Sequence, residues 1–125
     1  MSATVVIADD DPDIRALVAI AVARAGLVLL HSAADGAEAW NALSRHRPDL
    51  AVLDVSMPGQ SGLELCRRLR ADEALSGTTV VLLTAGVDQQ SHEAGTLAGA
   101  DHFLSKPFSP KALSLSLAEI AEPRR

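Results

Sequence analysis

The sequence predicts an α/β protein in which a parallel sheet carries helices on both faces. Five short apolar runs alternate with five segments of helical periodicity along the chain, and such alternation is typical of an open parallel sheet. The central apolar runs are continuous, which indicates strands covered on both faces. Connections in such a sheet are right-handed, and functional residues lie beyond the carboxyl ends of its strands. We therefore expect a doubly wound (βα)5 sandwich with its chemistry at the strand ends.

The first strand and helix are marked by the stretch TVVIADDDPDIR, which begins at residue 4. Pro12 suits the first turn of a helix because its missing N–H is not needed there, and Asp11 before it suits the N-cap. Apolar residues then recur at helical spacing as far as Gly26, a residue that favours the position just after a helix. The first helix is therefore predicted between Asp11 and Gly26.

The later elements follow the same order of apolar run, turn and helix. Pro58 and Gly59 form a turn behind the third run, and Ser61 suits the start of the helix that follows. The strands are predicted at 4–8, 27–31, 50–54, 79–84 and 102–105, and the later helices at 36–47, 61–71, 89–98 and 109–121.

Length and composition limit the classes of function. The 125 residues suit one domain over 1–125, in which 121–125 form a tail or the start of a linker. No apolar run approaches the roughly 20 residues that cross a bilayer, and a net charge of −5 without a basic stripe disfavours direct binding of nucleic acid by this segment. The N-terminus has no basic segment before its apolar run and Cys66 is the only cysteine. We therefore expect a cytoplasmic location and no internal disulfide.

Acidic and polar residues follow four of the five predicted strands. Asp9 and Asp10 follow the first strand, Asp54 ends the third, Thr84 ends the fourth and Lys106 follows the fifth. Carboxylates gathered in a partly desolvated cleft repel one another unless a cation joins them. Ligand sets made only of oxygen favour Mg²⁺, with Mn²⁺ as the other candidate. The sequence therefore predicts a divalent cation at this edge of the sheet.

Asp54 is the candidate nucleophile of this cluster. A carboxylate beside bound Mg²⁺ can attack phosphorus and form an aspartyl phosphate, while the metal and a nearby lysine stabilise the charge on the transferring group. Lys106 supplies that lysine, and the Thr84 hydroxyl can bond a phosphoryl oxygen. Taken singly, these residues also suit a surface turn, a solvated loop and a β-branched strand position. Their joint placement favours the reactive site.

At these residues the chain resembles the receiver domain of two-component response regulators, over essentially its whole length. The matching motifs are Asp9-Asp10, Asp54 in VLDVSMPGQSG, Thr84 in VVLLTAG and Lys106 in FLSKPF, at the spacing of receivers that lack large insertions. The resemblance implies a flavodoxin-like three-layer sandwich with a parallel five-stranded sheet in the order 2-1-3-4-5. It also implies that Asp54 takes a phosphoryl group from a sensor histidine kinase or a histidine phosphotransfer protein, and that the chain catalyses only its own phosphorylation and dephosphorylation.

The resemblance also assigns a metal site. Asp9, Asp10 and Asp54 would bind Mg²⁺ together with the backbone carbonyl of Ser56, and Lys106 would contact the phosphoryl group. Ser56 stands where receivers often carry asparagine, so the rate of dephosphorylation is expected to differ from theirs.

The same resemblance implies a switch that involves Thr84 and Phe103. Phosphorylation would draw Thr84 toward the phosphoryl group and let the ring of Phe103 change rotamer, which would alter the surface of the fourth helix, fifth strand and fifth helix. A downstream effector domain or protein would read that surface. A phosphorylation-dependent homodimer is a further partner that the resemblance leaves open.

Two other classes of function stay open. A pseudo-receiver would serve as a protein-interaction module independent of phosphorylation, although the complete set of site residues speaks against it. A hydrolase similar to the haloacid dehalogenases would also use an aspartyl nucleophile, but that family has a second aspartate two residues later, where this chain has Ser56. Phosphorylation of Asp54 would exclude the first alternative, and turnover of a phosphomonoester would revive the second.

Overall fold

The computed structural model describes residues 3–84, 89–106 and 109–121, with the backbone alone at 89–92. Ala121 of the predicted tail ends the last helix, and 122–125 lie outside the described residues. None of the described helices is long and apolar enough to cross a membrane. The described elements are β1 Thr4–Ala8, α1 Pro12–Arg24, β2 Val28–Ala33, α2 Gly36–His46, β3 Leu50–Asp54, α3 Gly62–Ala71, β4 Thr79–Thr84, α4 Gln89–Ala98, β5 His102–Ser105 and α5 Pro110–Ala121.

The strands form one parallel sheet in the order β2-β1-β3-β4-β5. Helices α1 and α5 pack on one face of the sheet, and α2, α3 and α4 pack on the other. This confirms the predicted three-layer sandwich and the strand order that the resemblance implied. The chain leaves β1 toward one edge of the sheet and continues from β3 toward the other. The carboxyl ends of β1 and β3 therefore meet at the point where the strand order reverses, which is where ligands bind in open α/β sheets.

The central strands are buried as their continuous apolar runs predicted, and every residue of β3 is buried. The second strand differs most from its prediction, because β2 runs from Val28 to Ala33 instead of 27–31. It is an edge strand whose residues are mostly half-buried. The polar pair His31 and Ser32 can therefore continue its pairing with β1 as far as Ala33. An apolar run alone does not show where such a strand ends.

Polar side chains fix the starts of three helices. Asp11 is the N-cap of α1, as predicted, and its Oδ1 accepts the backbone N–H of Asp13 at 2.9 Å. Ser61 is the N-cap of α3 and forms a capping box with Glu64. Asp35 caps α2, which the sequence analysis missed. Each cap satisfies backbone N–H groups that have no partner within the helix.

The carboxyl end of α4 is held against α3 by two side chains. The buried Cys66 thiol lies 3.3 Å from the Ala98 carbonyl, to which it donates. The Arg70 guanidinium donates to the carbonyls of Gly99 at 2.9 Å and Thr78 at 2.7 Å. The end of α4 is therefore attached both to α3 and to the chain that enters β4.

Asp101 completes this attachment. Its Oδ2 accepts from the Arg70 guanidinium at 2.6 Å and from the backbone N–H of Val80 at 2.8 Å. One carboxylate oxygen thus ties the segment between α4 and β5 to the first residues of β4. The planar guanidinium group of Arg70 gives this junction several charge-assisted hydrogen bonds in a fixed geometry.

We expect Arg70→Met to lower the free energy of unfolding by about 1–3 kcal/mol, because it removes charge-assisted hydrogen bonds from several backbone carbonyls at once. Urea denaturation checks this. Arg67→Met is the matched control, because Arg67 is an exposed residue of the same helix, and its effect should stay within about 0.5 kcal/mol. Equal losses in the two variants would contradict the role given to Arg70.

Candidate functional site

The predicted site residues lie at one edge of the sheet because the strands are parallel and in register. Ala8 of β1 lies opposite Leu53 of β3, so Asp9 and Asp54 follow at the same level. Thr84 at the end of β4 lies opposite Ser105, the residue before Lys106. The carboxyl ends of β1, β3, β4 and β5 therefore bring these polar residues into one region.

The three acids predicted to hold a cation form one cluster. One carboxylate oxygen from each of Asp9, Asp10 and Asp54 lies within 4.8 Å of the others. Asp9 is 2% exposed and Asp54 is 6% exposed, whereas Asp10 is exposed. The cluster is therefore buried on the side of the sheet and open to solvent on the side of Asp10.

Backbone contacts hold Asp9 in place after β1. Its Oδ1 accepts the N–H of Asp11 at 2.9 Å, and its carbonyl accepts from the Arg15 guanidinium at 2.7 Å. Its backbone N–H donates to the Ala33 carbonyl at 3.1 Å. Asp11 therefore orients the Asp9 carboxylate through its backbone N–H and caps α1 through its own side chain.

Lys106 places its ammonium group between the two buried carboxylates. The ammonium nitrogen lies 2.9 Å from Asp9 Oδ2 and 3.3 Å from Asp54 Oδ1. Burial alone would lower the pKa of Lys106, but the carboxylates of Asp9 and Asp54 outweigh it and raise the pKa. Lys106 therefore keeps its positive charge in the site.

The surroundings of Asp54 disfavour its ionised form. Burial, and then the negative charge of Asp9, raise its pKa to about 6, although the N–H of Ser56 and the charge of Lys106 act in the opposite direction. The Ser56 N–H and the Lys106 ammonium both contact Oδ1 of Asp54, each at 3.3 Å. One positive charge therefore does not fully compensate two buried carboxylates, and a further cation would favour the ionised form of Asp54.

The cluster fits a hard divalent cation. Asp9 Oδ2 is buried, and its partner in the described part of the chain is the Lys106 ammonium at 2.9 Å. The candidate ligand atoms in this cluster are all carboxylate oxygens. Such a donor set suits Mg²⁺, which commonly takes one or two carboxylates and keeps several waters. The open side at Asp10 leaves room for those waters.

A close approach by α3 supports the backbone of Asp54. A Cβ built on Gly62 would lie 3.0 Å from the carbonyl carbon of Asp54 and closer still to its oxygen, so a larger residue at 62 would displace either the helix or the strand end. The Gly62 N–H donates to the Val55 carbonyl at 3.3 Å. Gly62 comes directly after the predicted helix start at Ser61, and this role of Gly62 was not predicted from the sequence.

The two residues of the predicted switch lie on the face of the sheet that α4 covers. Thr84 is 8% exposed, and its carbonyl accepts the Lys106 N–H at 2.7 Å. Phe103 is half-buried and packs against the core on the α4 side of the sheet, where Leu82 lies. Because side chains alternate along a strand, Thr84 shares the face of Leu82, two residues before it. The backbone of Lys106 therefore connects the acidic cluster to the end of β4.

Comparisons with known proteins agree with this geometry. The family model described as "Response regulator receiver domain" matches residues 5–118. The phosphate regulon transcriptional regulatory protein PhoB of Pseudomonas aeruginosa is 37% identical over 117 residues, which are 94% of this chain and 51% of that protein. The DNA-binding response regulator MtrA of Mycolicibacterium smegmatis is 38% identical over 113 residues, which are 90% of this chain and 48% of that protein.

Solved structures share the fold over nearly the whole chain. The chemotaxis response regulator CheY4 of Vibrio cholerae has a TM-score of 0.88 at 31% identity, with 96% of this chain and 99% of that one covered. A BeF3-activated receiver domain, DrrB, has a TM-score of 0.85 at 30% identity, with 98% of this chain and 99% of that one covered. The chain spans about half the length of the curated relatives that it matches. It belongs to the receiver domain family of two-component response regulators.

Proposed function

We propose that the chain is a phosphoacceptor receiver in which Asp54 takes a phosphoryl group from the phosphohistidine of a sensor histidine kinase or a histidine phosphotransfer protein. The observation that carries this proposal is the convergence of the three acids with Lys106 at the carboxyl edge of the sheet. In this arrangement a buried carboxylate lies beside both a fixed positive charge and a cation site. Membership of the family supports the same function.

The reaction uses Asp54 as a nucleophile. A carboxylate oxygen of Asp54 attacks phosphorus, an O–P bond forms, and the P–N bond to the donor imidazole breaks with its electron pair left on nitrogen, which takes up a proton. Lys106 stabilises negative charge on the phosphoryl oxygens, since its ammonium already lies 3.3 Å from Asp54 Oδ1. The acceptor is the chain's own side chain, so the chain is modified by the reaction and turns over no separate substrate.

Asp9, Asp10, Asp54 and the backbone carbonyl of Ser56 are the proposed ligands of Mg²⁺ or Mn²⁺. When bound, the ion supplies positive charge beside the transferring phosphoryl group. The short distances among the three carboxylates support the first three ligands. Ser56 lies in the turn directly behind β3, where its N–H already donates to Asp54.

Phosphorylation of Asp54 is proposed to change the surface formed by α4, β5 and α5. The Thr84 hydroxyl would move toward the phosphoryl oxygens, and the ring of Phe103 would move with it. The hydrogen bond from Lys106 to the Thr84 carbonyl and the pairing of β4 with β5 support this coupling. A downstream effector domain or protein would read the changed surface, and a phosphorylation-dependent homodimer would use it too.

We further propose that residues 1–125 form a single receiver domain that acts in the cytoplasm. The described elements share one sheet with one helical layer on each face, which supports a single domain. The curated relatives are about twice as long as this chain, which supports an effector domain in the same polypeptide or a separate effector protein. The free, buried Cys66 suits a reducing compartment.

Asp54→Asn is expected to abolish phosphorylation and leave the fold intact, because asparagine keeps the shape of the side chain but removes the nucleophilic carboxylate. Intact mass after incubation with Mg²⁺ and acetyl phosphate checks this. Asp13→Asn is the matched control, because Asp13 is an exposed acid in the first turn of α1, and this variant should be modified as the native chain is. Modification of Asp54→Asn at the normal rate would exclude the assigned nucleophile, and an unmodified native chain would favour the pseudo-receiver.

Mg²⁺ is expected to stabilise the native chain, by about 1.4 kcal/mol at a concentration ten times its dissociation constant. Asp10→Asn should raise that dissociation constant on the order of tenfold, because it removes one unit charge a few ångströms from a divalent ion. Thermal unfolding at increasing MgCl2 measures both effects, and the exposure of Asp10 means that the apo fold should tolerate the change. Equal stabilisation of the native chain and Asp10→Asn would contradict the assigned ligand set.

A further inference from the structure

The ring of Phe103 occupies space beside α4 that any side chain at position 95 would fill. A Cβ built on Gly95 would lie 2.8 Å from Cζ of Phe103, closer still to Cε2, and 2.9 Å from Cδ1 of Leu82. Cβ atoms in proteins essentially never come within 3.0 Å of a non-bonded heavy atom from another part of the chain. The described ring position and an alanine at 95 therefore exclude each other unless a neighbour moves.

The surroundings leave the ring as the part that moves. Leu82 is fully buried in the middle of the sheet and lies opposite Phe103 in the pairing of β4 with β5. The carboxyl end of α4 is attached to α3 through Cys66 and Arg70, so the helix cannot withdraw freely. The ring is half-buried, so it has a way out toward the surface.

We propose that Gly95 is a positioning residue that admits the Phe103 ring to an inward position against the backbone of α4. This proposal rests on the proposed function, because it takes the ring position as the step that follows phosphorylation of Asp54. Phe103 has no hydroxyl group, so no hydrogen bond of its own can hold the ring inward or outward. The room left by the absent side chain at 95 then sets the balance between the two positions.

Linkage gives the direction of the effect. Movement of Thr84 toward Asp54 leaves room on the side of the sheet where the ring of Phe103 also lies. Phosphorylation therefore favours the inward position of the ring. By linkage, the inward ring position then strengthens binding of a phosphoryl mimic at Asp54 by the same factor by which the mimic favours the inward ring. A residue that blocks the inward position should therefore weaken binding of the mimic. Gly95→Ala should therefore act on the phosphorylation site without contacting it.

The ring position can be read directly from 19F NMR of the chain labelled with 4-fluorophenylalanine. The sequence contains two phenylalanines, Phe103 and Phe108, and Phe108→Leu assigns the two signals. In Gly95→Ala the Phe103 signal should shift and become more accessible to a dissolved paramagnetic probe, already without phosphorylation. Gly77→Ala is the matched control, because a Cβ there meets nothing within 4 Å. An unchanged Phe103 signal in Gly95→Ala would overturn the proposal.

A second comparison separates a steric effect from a change in helix propensity. Alanine favours a helix over glycine, but the contact of a Cβ at 95 with Leu82 Cδ1 remains when the ring is absent. Gly95→Ala should therefore change the midpoint of urea unfolding more favourably in a Phe103→Ala background than in the native background. Equal changes in the two backgrounds would mean that the ring and position 95 do not compete.

The link to the phosphorylation site is tested with beryllofluoride and Mg²⁺. Gly95→Ala should bind this phosphoryl mimic at least about fivefold more weakly than Gly77→Ala, at the lower end of usual allosteric couplings. Equal affinities would overturn the coupling, even if the ring has moved. Failure of the native chain to bind would instead overturn the proposed function, while the ring signal would still decide whether Gly95 positions Phe103.

Discussion

The site depends on the Lys106 ammonium group that lies between the buried carboxylates of Asp9 and Asp54. Two carboxylates at this separation would repel each other in a desolvated cleft, and the ammonium makes their joint burial tolerable. The compensation is incomplete, as the raised pKa of Asp54 indicates. The remaining negative charge would favour a divalent cation in the cluster, as the proposed function requires.

The architecture makes this arrangement possible because each charged residue comes from the end of a different strand. The reversal of strand order between β1 and β3 brings Asp9 and Asp54 together, and β5 delivers Lys106 on the other side of β4. Close backbone packing at Gly62 supports the end of β3. At the opposite end of the sheet, Arg70 holds the segment between α4 and β5. The site is thus built on fixed strand ends, whereas the ring of Phe103 has a route outward.

Much of this organisation could be predicted from the sequence, and most of what escaped prediction depends on contacts between elements. Alternation of apolar runs and helical patterns predicted the layers, because it depends on local periodicity. The placement of polar residues at strand ends predicted which side chains meet, because parallel strands share one carboxyl edge. The end of β2 and the roles of Gly62, Arg70 and Gly95 were not predictable, because each depends on which part of another element approaches it. The sequence alone does not distinguish a glycine that avoids a clash with another element from a glycine that a turn requires.

A crystal structure of the chain grown with Mg²⁺ and beryllofluoride would show whether these strand ends bind an ion and a phosphoryl mimic together. We expect one ion held by oxygens of Asp9, Asp10, Asp54 and Ser56, either directly or through water. We also expect beryllofluoride on Asp54 with the Lys106 ammonium in contact with a fluorine atom. An ion bound away from these acids, or a Lys106 side chain turned out of the site while Asp54 carries the mimic, would contradict the proposed site.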